Sequence, residues 1–284
     1  MKELQVKVYT PESVLRGPSG MIRDMVADLL AGRELAWRLA VRDIKAQYRQ
    51  TFLGLLWAFI IPLANTAVWF FLNLSGVVDF SGTAMPYPVY VFIGTILWAI
   101  FSDAVNAPLQ QVLSARPMLA KLNFPREALI VSGVYQTFFN ALIRMLLVLL
   151  ILPFCGISLW HQELLLLPFG LISLIIVGTS LGLLITPLGA LYNDIGRAVP
   201  LLMQFAMFIT PVVFPMPKDG WALSLFMANP LTHILNTCRH WIAGWPVDNL
   251  ILFLIVNIVA IMLLLLLWAV YRLAMPILIE RMSA

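Results

Sequence analysis

The residue types that could carry out catalysis or hold a metal are few in this chain of 284 residues, and they stand far apart. The two cysteines and three histidines show no spacing that is typical of a metal or redox site. No glycine is followed directly by a lysine, so the phosphate-binding loop of many ATPases is missing. The sequence therefore argues against an enzyme. We expect no catalytic residue, no metal and no cofactor bound by this chain, so any ATP would be used by a partner.

The elements that would position functional side chains are membrane helices. Hydrophobic residues make up 61% of the chain and charged residues 11%, whereas about 25% of a typical soluble domain is charged. The charges cluster and leave several uncharged stretches longer than the roughly 20 residues that cross a bilayer as a helix. We therefore predict an all-α polytopic membrane protein without a nucleic-acid partner. Its six predicted transmembrane helices cover residues 52–74, 87–112, 129–153, 164–191, 195–213 and 250–271.

The distribution of lysine and arginine predicts how these helices are oriented. Residues 1–51 hold nine such residues and the loop 113–128 holds three more, whereas the loops on the opposite side hold only Lys218 and Arg239. Because positive charge is retained on the cytoplasmic side of a membrane, both termini are predicted to be cytoplasmic. The predicted divisions are a cytoplasmic N-terminal segment (1–51), a six-helix transmembrane domain (52–271) and a cytoplasmic tail (272–284).

The residues just before the first predicted span form two stripes at helical spacing. The basic stripe consists of Arg38, Arg42, Lys45 and Arg49, and the apolar stripe consists of Trp37, Val41, Ile44 and Tyr48. This pattern is typical of an amphipathic helix at the membrane interface, with its basic stripe facing anionic lipid headgroups. The alternative is a positively charged anchor that serves only topology.

Residues 214–249, on the predicted outer side, are apolar but interrupted by prolines and glycines, so they cannot form one spanning helix. We predict two short re-entrant helices, at about 221–228 and 231–243, that dip into the outer membrane interface. Trp221 and Trp241 fit that depth, since tryptophan is enriched at the boundary between membrane and water.

The cytoplasmic loop 113–128 carries apolar and basic side chains around Pro117 and Pro125. Because proline disfavours helix formation, only a short amphipathic helix is expected there. Its apolar side chains would suit a groove on a soluble partner; they are Leu119, Leu122 and Phe124. The alternative is a basic loop that serves only topology, and the residues by themselves leave both open.

Taken in order, these segments resemble a known family. Residues 42–49, 53–57, 119–127, 194–197, 207–215 and 229–232 are similar to the permease subunits of type-2 ABC exporters of the lipopolysaccharide O-antigen and teichoic-acid group. The resemblance runs from about Arg42 to about Trp241. Ala120 departs from the family pattern, which has a longer side chain before Lys121.

The resemblance implies both partners and cargo. It implies an export channel made of two copies of this chain in a bacterial inner membrane, each copy bound to an ATP-binding subunit that holds ATP and Mg²⁺. The implied cargo is a lipid-linked polysaccharide, such as O-antigen, a capsule-like polymer or teichoic acid, moving from the cytoplasmic to the outer side. Two alternatives stay open: a type-2 ABC exporter of a drug or small lipid, and an ATP-independent membrane protein.

The resemblance also assigns candidate site residues. Those expected to dock on the ATP-binding subunit are Arg116, Met118, Leu119, Lys121, Phe124 and Arg126. Those expected to border the point where the lipid-linked substrate enters are Trp37, Arg38, Arg42, Lys45, Tyr48 and Arg49.

Aromatic side chains crowd the first two predicted spans, and aromatic faces stack well on the apolar face of a sugar ring. The candidates for lining a sugar path are Trp57, Phe59, Trp69, Phe70, Tyr87, Tyr90, Trp98 and Phe101. The alternative is that they form the aromatic belts found where membrane helices meet water.

Two charges lie inside predicted spans. Arg144 lies about 15 residues, or ~22 Å, into the third span, so we expect it to face a polar path or a second subunit. Asp103 is expected near the inner mouth, and because the two depths differ by roughly 10 Å, a direct pair is not expected. Cys155 and Cys238 both fall on the outer side; unpaired buried thiols are expected, although a disulfide is conceivable.

Overall fold

The computed structural model describes residues 18–49, 54–76, 85–119, 121, 124–217, 219–247 and 249–283. All regular structure in these residues is helical, which confirms the predicted all-α class. The α-helices of this described part are α1 (Pro18–Arg49), α2 (Trp57–Leu74), α3 (Tyr87–Ser114), α4 (Arg116–Leu119), α5 (Glu127–Ile151), α6 (Leu167–Leu191), α7 (Asn193–Ala206), α8 (Trp221–Ala228), α9 (Pro230–Ala243) and α10 (Leu250–Ser283).

Five helical segments in the described residues are long and apolar enough to cross a bilayer. They are α2, α3, α5 with the 3-10 turn that follows it, α6 with the 3-10 turn that precedes it, and α10. Each begins within a few residues of a predicted span, because flanking charges and prolines mark the ends of the apolar runs. α10 ends later than predicted: it continues past Tyr271 to Ser283.

The segment predicted as the fifth span, 195–213, forms a shorter helix than the others. α7 has 14 residues, a length of about 21 Å, and the 3-10 turn after it ends at Ile209. The chain then leaves the helix at Thr210, whose backbone is extended, because a residue that precedes a proline is disfavoured in helical geometry. Six complete spans therefore stay a prediction.

The centre of the subunit is α3, most of whose residues are buried. α6 packs closely against it because glycines bring the two backbones together: a methyl group added at Gly178 would collide with Ala104, and one at Gly182 with the backbone of Val105. α2 is the opposite case, since Pro62 is its one buried residue. Lipid or another protein chain must cover the rest of its apolar surface.

The N-terminal helix α1 begins at Pro18, about five turns before the predicted basic stripe. It lies along α5, with Trp37 packed edge-on against Tyr135 and Tyr48 near Asn140. The predicted apolar stripe is not its buried face, since Trp37 is 59% exposed. The buried face of α1 consists mostly of small and apolar residues, which let the helix approach its neighbours closely, together with one acid. Its members are Met25, Asp28, Gly32, Ala36, Leu39 and Ala40.

The two short helices predicted on the outer side are present as α8 and α9. Asn229 caps the N-terminus of α9 by accepting a hydrogen bond from the backbone of Leu231 at 3.0 Å. Gly244 ends this helix in the left-handed conformation, which glycine adopts without steric penalty. How deeply α8 and α9 enter the membrane stays a prediction.

Two local expectations need correction. The helix in the loop 113–128 ends at Leu119 after four residues, and Phe124 is not helical, whereas Leu122 lies outside the described residues. Both cysteines are free thiols, but only Cys238 is buried and Cys155 is exposed. The helix α4 is short because the loop contains two prolines, Pro117 in the first turn of α4 and Pro125 after it, and proline disfavours helical geometry in the residues before it.

Candidate functional site

The loop between α3 and α5 is held in place by Arg116. Its guanidinium donates to the carbonyl oxygen of Ala190 at 2.6 Å and to the side chain of Asn193 at 3.3 Å, where α6 passes into α7. Leu119 is buried against the subunit. These two of the six predicted docking residues therefore fix the loop to the rest of the fold, a role that the sequence pattern did not indicate.

The other predicted docking residues lie nearer the surface of the same loop. Lys121 is exposed, and Met118, Phe124 and Arg126 are partly exposed. Arg42 of α1 points its Nη1 toward the sulfur of Met118 at 3.9 Å. The structure thus brings one residue predicted at the substrate entrance next to one predicted to dock a partner.

An ion triad joins α1, α5 and α10 beside this loop. Arg272 of α10 donates to Asp28 of α1 and to Glu127 of α5, each at 2.6 Å. All three side chains are largely buried. Tyr271 adds a hydrogen bond of 3.4 Å from its hydroxyl to the backbone carbonyl of Arg126. The sequence analysis missed this triad because no local spacing relates residues that are up to 244 positions apart.

A second polar chain connects α1, α3 and α5. Arg42 donates to Asp43 at 2.7 Å, and the other carboxylate oxygen of Asp43 accepts from Gln111 at 3.1 Å. Gln111 also donates to Gln136 at 3.0 Å. Among the predicted entrance residues, Arg38 pairs with Glu34 on the exposed face of α1, and Lys45 and Arg49 are exposed. The basic stripe therefore does face away from the subunit core.

Arg144 and Asp103 form a direct ion pair of 2.7 Å, so the expectation that they stay apart was wrong. α3 and α5 run in opposite directions, and a helical side chain leans toward the N-terminus of its own helix. Arg144 therefore leans toward the start of α5 and Asp103 toward the start of α3, which closes the gap expected from their depths. Burial beside this pair raises the pKa of the Tyr48 hydroxyl, so Tyr48 stays protonated and can donate to Asn140.

We expect the single substitution Asp103→Asn to lower the free energy of unfolding by about 1–2 kcal/mol, because Arg144 then lacks its counter-ion. The loss is smaller than for a fully buried pair, since both side chains are partly exposed. The measurement is thermal unfolding of the purified protein in detergent. The double variant with Arg144→Gln removes both charges and should regain most of the loss. Equal stability of the single and double variants would contradict an attractive pair.

The eight predicted channel aromatics divide into two groups. Those on α3 are buried in the subunit core, where they are packing residues and face no surface path: Tyr87, Tyr90, Trp98 and Phe101. Their burial does not favour a channel-lining role, which stays a prediction. Those on α2 are exposed or partly exposed: Trp57, Phe59, Trp69 and Phe70. Sequence could not separate the groups because both helices are uniformly apolar.

The part of the subunit that is predicted to lie on the outer side is held by Arg239, which sequence analysis counted only as a loop charge. Arg239 is buried and donates to the carbonyl oxygens of Pro211 and Val212, the latter at 2.8 Å. It also lies over the ring of Tyr90 at 3.8 Å and donates to its hydroxyl at 3.1 Å. A single side chain therefore fixes α9 to α3 and to the non-helical segment after α7.

The sequence pattern of the ABC-2 type transporter family matches residues 34–242, which is more than half of the chain. The chain belongs to this family. It is the permease, or membrane subunit, of a type-2 ABC exporter in the bacterial cytoplasmic membrane. The matched range runs from α1 through α9 and includes the loop, the ion pair of Arg144 and the anchor formed by Arg239.

Several curated proteins are similar to the permease over most of its length. The O-antigen export system permease protein RfbA of Myxococcus xanthus is 29% identical over 76% of this chain and 83% of its own. The polysialic acid transport protein KpsM of Escherichia coli is 26% identical over 71% of this chain and 78% of its own. An RfbA protein of Klebsiella pneumoniae is 21% identical over 70% of this chain and 76% of its own.

A basic cavity of about 210 Å³ opens beside the loop 113–128 of the permease. Its walls come from α4, the α6–α7 junction and the end of α10, and its lining includes Arg116 and Arg281. Two guanidinium groups favour an anionic group such as a carboxylate. Arg116 thus both fixes the loop and lines this cavity, at the end of the permease that is predicted to be cytoplasmic.

Proposed function

We propose that this permease exports a lipid-linked polysaccharide, such as O-antigen, a capsule-like polymer or teichoic acid, from the cytoplasmic to the outer side of the inner membrane. The observation that carries the proposal is the similarity, over about three quarters of the chain, to permeases whose names specify O-antigen export and polysialic acid transport. We further propose a homodimer of six-span subunits with cytoplasmic termini, bound to two ATP-binding subunits that hold ATP and Mg²⁺.

The homodimer is supported by the exposure of α2. This helix is a candidate span with one buried residue, and it carries the exposed aromatics Trp57 and Phe70. A second copy that faces this surface would place aromatic rings on both sides of the path. Aromatic faces stack on sugar rings and allow sliding, because the contact does not depend on a fixed set of hydrogen bonds.

The mechanism that we infer starts at the cytoplasmic loop. ATP binding would draw the two ATP-binding subunits together, and each would push on the loop that Arg116 fixes to the α6–α7 junction. The ion triad of Arg272 would pass this movement to α1 and α10, because it joins both helices directly to the start of α5. The two permease subunits would then separate enough for a polymer to pass.

We expect the substitution Lys121→Glu to weaken binding of the ATP-binding subunit about tenfold, which corresponds to about 1.4 kcal/mol. Lys121 is exposed on the docking loop, and reversing its charge would repel acidic groups of the partner. The measurement is the amount of ATP-binding subunit that copurifies with the tagged permease. Arg33→Glu, an exposed change on α1, is the control and should leave copurification unchanged. Equal effects of both changes would argue against docking at this loop.

The cargo is tested by depleting the permease in the bacterium that encodes it. The amount of polysaccharide on the cell surface is measured with a probe that cannot cross membranes, and lipid-linked polymer is measured in the cytoplasmic membrane. We expect surface polymer to fall and lipid-linked polymer to accumulate inside. Unchanged surface polymer together with increased sensitivity to drugs would favour the drug exporter instead.

A further inference from the structure

A small cavity on α9 is separate from the docking loop and from the Arg144 pair. Its volume is about 90 Å³. One wall is apolar and contains Met216 and Met227, and the other is a polar face of α9 that contains Thr232, His233, Asn236 and His240. Two of the three histidines in the chain thus lie on one face of one short helix. The opposite face of α9 is packed into the core of the permease.

Contacts with backbone carbonyl oxygens determine which nitrogen of each of the two imidazoles carries a proton. Nε2 of His233 lies 3.0 Å from the carbonyl oxygen of Met227, and Nδ1 of His240 lies 2.6 Å from that of Pro246. A carbonyl oxygen only accepts hydrogen bonds, so these two nitrogens carry the protons. The second nitrogen of each neutral ring is therefore an acceptor.

The neighbouring side chains add further hydrogen-bonding capacity. Among the described residues, the side chain of Asn236 has one long contact, accepted from Arg239 at 3.4 Å, so most of its amide capacity is free for a ligand. The hydroxyl of Thr232 is buried in the base of this wall and has no hydrogen-bond partner among the described residues. A buried polar atom without a partner is unusual, because it loses its hydration without compensation.

We propose that this cavity binds a neutral sugar residue of the polysaccharide as the polymer leaves the permease. Acceptors on one wall suit sugar hydroxyls, and methionine side chains on the other suit the C–H face of the ring. None of the described residues that line the cavity is a lysine or arginine, so an anionic group would find no counter-ion. The inference rests on the proposed function and on the predicted outer position of α9.

The size of the cavity limits how the sugar is held. A volume of about 90 Å³ corresponds to roughly three water molecules. It therefore accommodates the hydroxyl edge of one sugar residue and leaves the rest of the chain outside. Such a contact guides a moving polymer along α9 without enclosing it.

The test uses cysteine labelling from outside intact cells. Cells that lack their own copy receive a full-length permease with Cys155→Ala, which removes the exposed native thiol, while buried Cys238 stays. Asn236→Cys is then introduced and treated with a membrane-impermeant maleimide while polymer synthesis is switched on or off. We expect the labelling rate to fall about fivefold during synthesis. This fall corresponds to polymer occupying the cavity in all but about a fifth of the permease molecules at any time.

Ser224→Cys on the exposed face of α8 is the matched control, and its labelling rate should not depend on polymer synthesis. Asn236→Leu provides a second readout: we expect surface polymer to appear several-fold more slowly, with unchanged copurification of the ATP-binding subunit. The sugar site is contradicted if the labelling rate of each cysteine is the same with and without synthesis and if Asn236→Leu exports polymer normally. The proposed function is not affected by that result. If the Cys155→Ala permease itself restores no surface polymer, the proposed function fails first.

Discussion

Replacing Arg272 by methionine will lower the free energy of unfolding of the permease by about 3–5 kcal/mol. The substitution keeps an unbranched apolar stem but leaves Asp28 and Glu127 buried without their cation. Two buried carboxylates that repel each other and have lost their ion pairs with Arg272 cannot be rehydrated without opening the contact among α1, α5 and α10. The measurement is unfolding of the purified permease in mild detergent, followed by helix content.

The control for this prediction lies on the same helix. Arg281→Met removes an exposed cation near the end of α10 and should change stability by no more than about 0.5 kcal/mol. A triple variant that combines Arg272→Met with Asp28→Asn and Glu127→Gln removes all three charges and should recover part of the loss. If Arg272→Met is as stable as Arg281→Met, the triad does not hold the three helices together.

The substitution Gly94→Ala will lower the free energy of unfolding of the region where α9 packs on α3 by about 3 kcal/mol. This value is near the upper end of the range for overpacked cores. A methyl group at Gly94 would collide with the guanidinium of Arg239 and with the carbonyl oxygen of Val212. Because Arg239 is the side chain that joins α9 to α3 and to the segment after α7, moving it releases all three. The loss should appear as faster hydrogen exchange in 210–214 and in α9.

The chain offers a matched glycine for comparison. A methyl group at Gly196, inside α7, would meet only ordinary contacts with side-chain carbons of Leu109 and Leu113. Gly196→Ala should therefore be neutral or raise helix stability by up to about 1 kcal/mol. Similar exchange rates for Gly94→Ala and Gly196→Ala would mean that Arg239 does not occupy the position described.

Sequence alone predicted the helices well where hydropathy and charge change sharply. The bounds of α3 and α6 and the positions of α8 and α9 follow from apolar runs, prolines and glycines. The stripes at 37–49 did not indicate that α1 begins as early as Pro18, because the buried face of its first half includes an acid, Asp28, and a glycine, Gly32, and such a pattern has no strong apolar signal.

The contacts that hold the site could not be predicted because they join residues far apart in the chain. Arg272 and Arg239 look like ordinary tail and loop charges until the fold buries them. The pairing of Arg144 with Asp103 was rejected on depth alone, whereas the direction in which helical side chains lean brings the charges together. Burial likewise separated the aromatics of α3 from those of α2, a distinction that depends on which helix lies at the centre.

The central claim is that this permease moves polysaccharide across the membrane with energy from ATP used by a partner. It is tested most directly in inverted inner-membrane vesicles that contain radiolabelled lipid-linked polymer on their outer, formerly cytoplasmic, face. The quantity measured is the fraction of polymer that becomes protected from an added glycosidase. We predict protection only when both ATP and the permease are present. Equal protection in vesicles without the permease, or in vesicles without ATP, would contradict the account.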